Sequence, residues 1–138
     1  MLKKSIELAP EEGHAKYMIM GQLCSGKEAL DYFSKGIKLL QAETINAKKE
    51  GSITKEESFN VRTELAVAYC SVAEIYLTDC CFEPNAEEEC EKALKRASLN
   101  SFLQLDFLFF LRAKTLKYKS QWNLIRAVQR FCKDTQTF

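Results

Sequence analysis

The chain has 138 residues, of which 46% are hydrophobic and 28% are charged, and its formal net charge is +1. This length suits one domain with a single hydrophobic core, and the composition excludes a disordered polar chain. Five glycines and two prolines are too few for the turns of a many-stranded β-protein. We therefore expect an all-α domain.

The charge is unevenly distributed along the chain. Residues 51–100 contain five Lys or Arg and ten Asp or Glu, whereas residues 101–138 contain seven and two. Such an asymmetry is found on surfaces that bind charged partners, and also on the solvated faces of ordinary amphipathic helices. Both interpretations remain open at this point.

No targeting segment is predicted. The first residues, "MLKKSIELAPEEG", lack the apolar run of a secretory signal. The longest apolar-rich run, "FLQLDFLFFL" at 102–111, contains Asp106 and is about half as long as a membrane span. We expect no membrane segment, a cytoplasmic or nuclear location, and six cysteines that stay reduced.

Three helix starts are predicted after a first short helix that ends near Pro10: near Lys27, after Thr54 and after Pro84. Ser25 and Glu28 form a capping-box pattern, so a helix should begin near Lys27. Thr54 and Glu57 repeat that pattern ahead of a helix of about 25 residues. The expected buried stripe of the first of these helices consists of Leu30, Phe33, Ile37 and Leu40.

The stretch "LTDCCFEPNAEEEC" at 77–90 has three interpretations: a metal site, a redox centre or a joint between helices. Cys80 and Cys81 are adjacent, and no second close pair of Cys or His completes four zinc ligands. No Cys-x-x-Cys pair is present for redox chemistry. We expect a joint at Pro84 and no metal, followed by a helix with a regular apolar stripe: Ala86, Cys90, Ala93, Leu94 and Ala97.

Two segments share a pattern of large and small residues. "YMIMGQLC" at 17–24 and "YCSVAEIY" at 69–76 each place a small residue, Gly21 or Ala73, four positions after a tyrosine. Each is followed by a second small-to-large pair, from Ala29 to Phe33 or from Ala86 to Cys90. The pattern resembles the tetratricopeptide repeat, in which helix A needs a small residue where helix B crosses it. This resemblance implies a short α-solenoid of stacked helix hairpins.

Two longer stretches of the sequence resemble a small eukaryotic family of such repeat proteins. They are "YMIMGQLCSGKEALDYFSKGIKLL" and "ELAVAYCSVAEIYLTDCCFEPNAEEECEKALKRA". Its members are dedicated assembly chaperones of one large-subunit ribosomal protein. The resemblance covers roughly residues 5–104 and implies a Lys/Arg-rich protein client. We expect one domain over 1–138, with repeats at about 11–50 and 55–98 and a degenerate or divergent third segment at 101–138, in which residues 105–138 lack the family pattern.

Catalysis is not expected. The single histidine, His14, stands in the polar segment "EEGHAK" without a nucleophile motif or a phosphate-binding loop. It is most simply a residue at the surface or at a helix start. We expect no cofactor and no small-molecule substrate.

Nucleic-acid binding is the second alternative function. Basic residues alternate with aromatic ones between Arg112 and Arg130, around Tyr118 and Trp122. The apolar members of this segment, including Trp122, also fit the core of one or two amphipathic helices. A generic repeat scaffold, or an inactive fragment of a longer protein, is the other alternative.

The preferred interpretation is a protein-binding module whose A helices line a groove. The polar line of the long helix provides the candidate partner-binding residues Glu64, Ser71, Glu74 and Thr78, with Tyr69 and Tyr76 adding contact area. The acidic excess of 51–100 would attract a basic client.

Overall fold

Five α-helices follow one another in the computed structural model, which describes residues 1–100 and, beyond them, Trp122, Asn123, Ala127 and Arg130. The helices are α1 (Leu2–Leu8), α2 (His14–Leu23), α3 (Gly26–Lys49), α4 (Lys55–Leu77) and α5 (Ala86–Asn100). No strand occurs among these residues. The predicted all-α stack of helix hairpins is confirmed.

Helices α2 and α3 form the first antiparallel hairpin. A Cβ atom added to Gly21 of α2 would lie 2.8 Å from the ring of Phe33, and one added to Gly36 of α3 would lie 3.2 Å from Cβ of Tyr17. The two helix backbones therefore approach each other where a side chain is missing.

Helices α4 and α5 form the second antiparallel hairpin. Ala73 of α4 is fully buried, and the Cys90 thiol of α5 donates a hydrogen bond to its carbonyl oxygen at 3.6 Å. A small residue again lies at the crossing point of the two helices.

The long helices α3 and α4 join the two hairpins and run antiparallel. The N–H of Gly26, at the start of α3, donates to Asp79 Oδ2 just beyond α4, at 3.1 Å. Further along, Gln41 Nε2 of α3 donates to the Tyr69 hydroxyl of α4 at 3.3 Å. Because α2 and α4 are both antiparallel to α3, they run parallel to each other.

The core is built mainly from the predicted apolar stripes. All five stripe residues of α5 are buried, as are Phe33, Ile37 and Leu40 of α3, whereas Leu30 is half-buried. Helix α4 is buried on both flanks of its polar line, through residues such as Leu65, Ala73 and Leu77. Trp122 joins the same core, so the predicted core position of this tryptophan is confirmed.

The two predicted capping boxes have different outcomes. The Thr54 hydroxyl accepts from the N–H of Glu57 at 3.1 Å, and the Glu57 carboxylate accepts from the N–H of Thr54 at 3.0 Å. The box predicted at Ser25 is wrong, since the Ser25 side chain makes no capping bond.

The first hairpin lies within the range predicted for the first repeat, and the second ends two residues beyond the range predicted for the second repeat. Whether these hairpins are tetratricopeptide repeats stays a prediction, as does the single-domain boundary. The predicted third segment, 101–138, lies outside the described residues except for the four named above.

Candidate binding face

A line of five residues runs along the solvent side of α4, and we call it the α4 face. Its members are spaced by three and four positions, which keeps them on one side of a helix: Glu64, Val67, Ser71, Glu74 and Thr78. Ser71 is half-buried and the other four are exposed. The four polar residues predicted for the groove therefore lie together.

The hydroxyl groups of the α4 face already use their protons within the helix. Ser71 Oγ donates to the carbonyl oxygen of Val67 at 3.0 Å, and Thr78 Oγ1 donates to that of Glu74 at 2.9 Å. Each hydroxyl oxygen keeps lone pairs that can accept a hydrogen bond. Together with the carboxylates of Glu64 and Glu74, these oxygens make the α4 face rich in acceptors.

Tyr69, predicted to add contact area, belongs to the core. Its ring is only 8% exposed, and its hydroxyl accepts the hydrogen bond from Gln41. The Arg96 guanidinium of α5 lies 5.9 Å from the ring centroid, which is within cation–π range. Tyr69 thus ties α4 to both neighbouring helices and offers little surface to a partner.

Tyr76 lies on another side of α4. It is half-buried and packs against the core, and a spacing of two residues from Glu74 and Thr78 places it about 200° around the helix from them. Burial raises the pKa of its hydroxyl, and the negative charges of Glu89 and Glu83 raise it further. The structure therefore does not bring Tyr76 onto the α4 face.

His14 is the feature that the sequence interpretation underestimated. Its Nδ1 lies 2.8 Å from Glu43 Oε2 of α3, and its Nε2 lies 2.9 Å from Glu64 Oε2 of α4. The side chain is 22% exposed. One imidazole at the start of α2 therefore contacts both long helices and one carboxylate of the α4 face.

Exposed apolar side chains occur on both parallel helices. Val67 is 45% exposed on α4, and Ile19 and Leu23 are exposed on α2. Val67 is not among the residues predicted for the groove. It lies three residues after Glu64 and four before Ser71, and this spacing could have assigned it to the polar line.

Cys24, Cys70, Cys80 and Cys81 are free thiols. Burial raises the pKa of the Cys70 thiol to about 11, with a smaller contribution from Glu74. Burial likewise raises the pKa of Cys80. Raised values disfavour the thiolate, which is the reactive form, so neither thiol is activated as a nucleophile.

Neither a metal-binding cluster nor a membrane-spanning helix is found among the described residues. Among residues 1–100 and the four described positions beyond them, no group of three His, Cys, Asp or Glu side chains is placed to hold a metal ion. Within that same part of the chain, no helix has both the length and the apolar character that crossing a bilayer requires.

The chain is similar to a protein of the fission yeast Schizosaccharomyces pombe described as "Probable assembly chaperone of rpl4". The two sequences are 33% identical over 106 residues, which is 76% of this chain and 28% of the yeast protein. The chain thus spans little more than a quarter of the length of that relative. No family model matches the chain, and no solved structure matches it.

The alignment makes the yeast protein a distant homologue of this chain. Its description agrees with the class of protein indicated by the sequence pattern, an assembly chaperone of a ribosomal protein.

Proposed function

We propose that the chain is a protein-binding module of an assembly chaperone, which holds a Lys/Arg-rich segment of a ribosomal protein before that protein enters the ribosome. The observation that carries this proposal is the 33% identity to the yeast chaperone over 76% of the chain. The yeast protein's description names rpl4, so the counterpart of rpl4 is the first client to test.

The chemistry of the α4 face supports a basic client. Two carboxylates and two hydroxyl oxygens offer acceptors along one line of α4, while the hydroxyl protons are used within the helix. Lys and Arg side chains are pure donors. The acidic excess of residues 51–100 would also speed the approach of a basic chain.

Tetratricopeptide-type stacking is part of the proposal. The parallel arrangement of α2 and α4 and the small residue at each hairpin crossing support it. In such a stack the A helices, here α2 and α4, line the groove. The exposed apolar residues Ile19, Leu23 and Val67 would then add non-polar contacts to the same client segment.

The proposal includes no catalytic step, and it assigns the protein to the cytoplasm or the nucleus, where ribosomal proteins are made and assembled. Binding of nucleic acid through the basic C-terminal segment is less well supported, because Trp122 is buried and so cannot stack on a base. Most of the other residues of that segment lie outside the described residues.

The direct test is binding of the purified chain to basic segments of the rpl4 counterpart, measured by calorimetry at rising salt concentration. We expect binding that weakens steadily as salt screens the charges. Failure of every basic segment to bind at low salt would contradict the proposed client class.

Charge reversal locates the binding surface. The variant Glu74→Lys should weaken binding, whereas Glu91→Lys is a matched control because it makes the same charge change at an exposed position of α5. The double variant Glu64→Lys/Glu74→Lys should bind still more weakly. Equal losses in Glu74→Lys and Glu91→Lys would show that only net charge matters and would contradict the assignment to the α4 face.

A further inference from the structure

The two contacts of His14 set a condition on its protonation. Carboxylates such as Glu43 and Glu64 accept hydrogen bonds and, when ionised, donate none. A neutral imidazole has one N–H, so it can donate to one of these two groups only. Imidazolium has two, and it alone can donate to both carboxylates at the distances of 2.8 and 2.9 Å.

The two carboxylates that contact His14 lie on helices packed against α2, and neither belongs to α2 itself. Glu43 belongs to α3 and Glu64 to α4. On its own side of the contact, Glu11 pairs with Lys35 at 2.8 Å, and Lys16 donates to backbone carbonyls, including that of Ser5 at 3.2 Å. Glu43 and Glu64 are therefore bridged by the two ring nitrogens of His14.

We propose that His14 is the positioning residue of the α4 face: its imidazolium clasps Glu43 and Glu64 and offsets part of the negative charge that this face offers to a basic client. The proposal rests on the proposed function for its client and on the three-helix geometry for its mechanism. With the proton bound, both carboxylates are engaged and the two hairpins are linked through α2, α3 and α4.

Removal of the imidazolium changes the face in two ways. The charged donor of the two hydrogen bonds is lost, and the local charge becomes more negative by one unit. A Lys/Arg-rich client then meets a carboxylate that no imidazolium neutralises. Client binding should therefore be tighter in a variant that lacks the imidazolium than in the unmodified chain.

The clasp can be measured directly, because the chain contains one histidine. Nitrogen NMR of the imidazole in the untagged chain at pH 6 needs no assignment. We expect both ring nitrogens to carry hydrogen-bonded protons. Loss of the Nδ1–H signal in Glu43→Leu and of the Nε2–H signal in Glu64→Leu should follow, because leucine has no acceptor and the freed N–H exchanges with water. Glu91→Leu should leave both signals unchanged.

The binding test uses an octalysine peptide at pH 6. His14→Gln keeps an amide donor but has no positive charge, so it should bind the peptide about threefold more tightly than the unmodified chain, as expected for one additional exposed charge interaction. A merely structural role for His14 would leave the affinity of this variant equal or lower it.

The outcomes separate the two proposals. A single protonated ring nitrogen at pH 6, or an affinity of His14→Gln that does not exceed that of the unmodified chain, overturns the clasp. Absence of octalysine binding by both chains contradicts the basic client of the proposed function. In that case the ring-nitrogen spectra of the three Leu variants decide alone whether His14 clasps the two carboxylates.

Discussion

The two hairpins solve the same packing problem with different pairs of residues. In the first, Gly21 has no side chain and the large ring of Phe33 fills the space. In the second, Ala73 is larger by a methyl group and the smaller Cys90 faces it. The comparison teaches that the crossing of two helices depends on the combined volume of the pair, so neither residue can be judged alone.

The hairpins also differ in the lengths of their helices. The first pairs the 10 residues of α2 with the 24 of α3, and the second pairs the 23 residues of α4 with the 15 described for α5. The two long helices are therefore adjacent and antiparallel in the middle. Because α4 extends past α2, it presents the longer polar line to solvent.

The largest expected effect is at the crossing of the second hairpin. Ala73→Arg would place an unpaired charge in a fully buried position, which costs about 3–5 kcal/mol of unfolding free energy. Urea unfolding followed by the fluorescence of Trp122, the one tryptophan of the chain, measures this loss. Ser71→Arg, at the half-buried position of the α4 face, is the control and should cost much less.

Exchange of the pairs between hairpins sharpens the comparison. Gly21→Ala alone should cost about 1–3 kcal/mol, because its Cβ would come within 2.8 Å of the Phe33 ring. Phe33→Cys alone should cost about 3 kcal/mol through the cavity it leaves. The double variant copies the pair of the second hairpin and should lose at least about 1 kcal/mol less than the sum of the single losses. Strict additivity in this cycle would contradict the shared-volume account.

The smallest effect compares the starts of the two long helices. Thr54→Ala removes a complete capping box and should cost about 1 kcal/mol. Ser25→Ala removes a hydroxyl that makes no capping bond, so its cost should stay within about 0.5 kcal/mol. The two urea midpoints test this, and an equal loss for both variants would contradict the assignment of the caps.

Much of the fold was predictable because it depends on local spacing. The apolar stripe from Ala86 to Ala97 has helical periodicity over the whole of α5, and all its members are buried. The pairs Gly21 with Phe33 and Ala73 with Cys90 were predictable from their shared pattern. The Ser25 cap was not, since Ser25 and Glu28 have the spacing of a capping box and yet the Ser25 side chain makes no capping bond.

The candidate site was predictable only in part. The spacing of Glu64, Ser71, Glu74 and Thr78 placed them on one side of α4, as the structure shows. The contact of His14 with Glu64 spans 50 positions of the chain, so no local pattern reports it. For Tyr69 the choice between groove and core depended on Gln41 and Arg96, which come from two other helices.

The central claim, that the chain holds a basic ribosomal protein, is tested most directly by a solubility assay. The rpl4 counterpart is mixed with RNA at physiological salt, with and without an equimolar amount of the chain, and light scattering reports precipitation. The account predicts that the unmodified chain and Glu91→Lys suppress the scattering, whereas Glu64→Lys/Glu74→Lys suppresses it less. Equal scattering with and without the unmodified chain would contradict the claim.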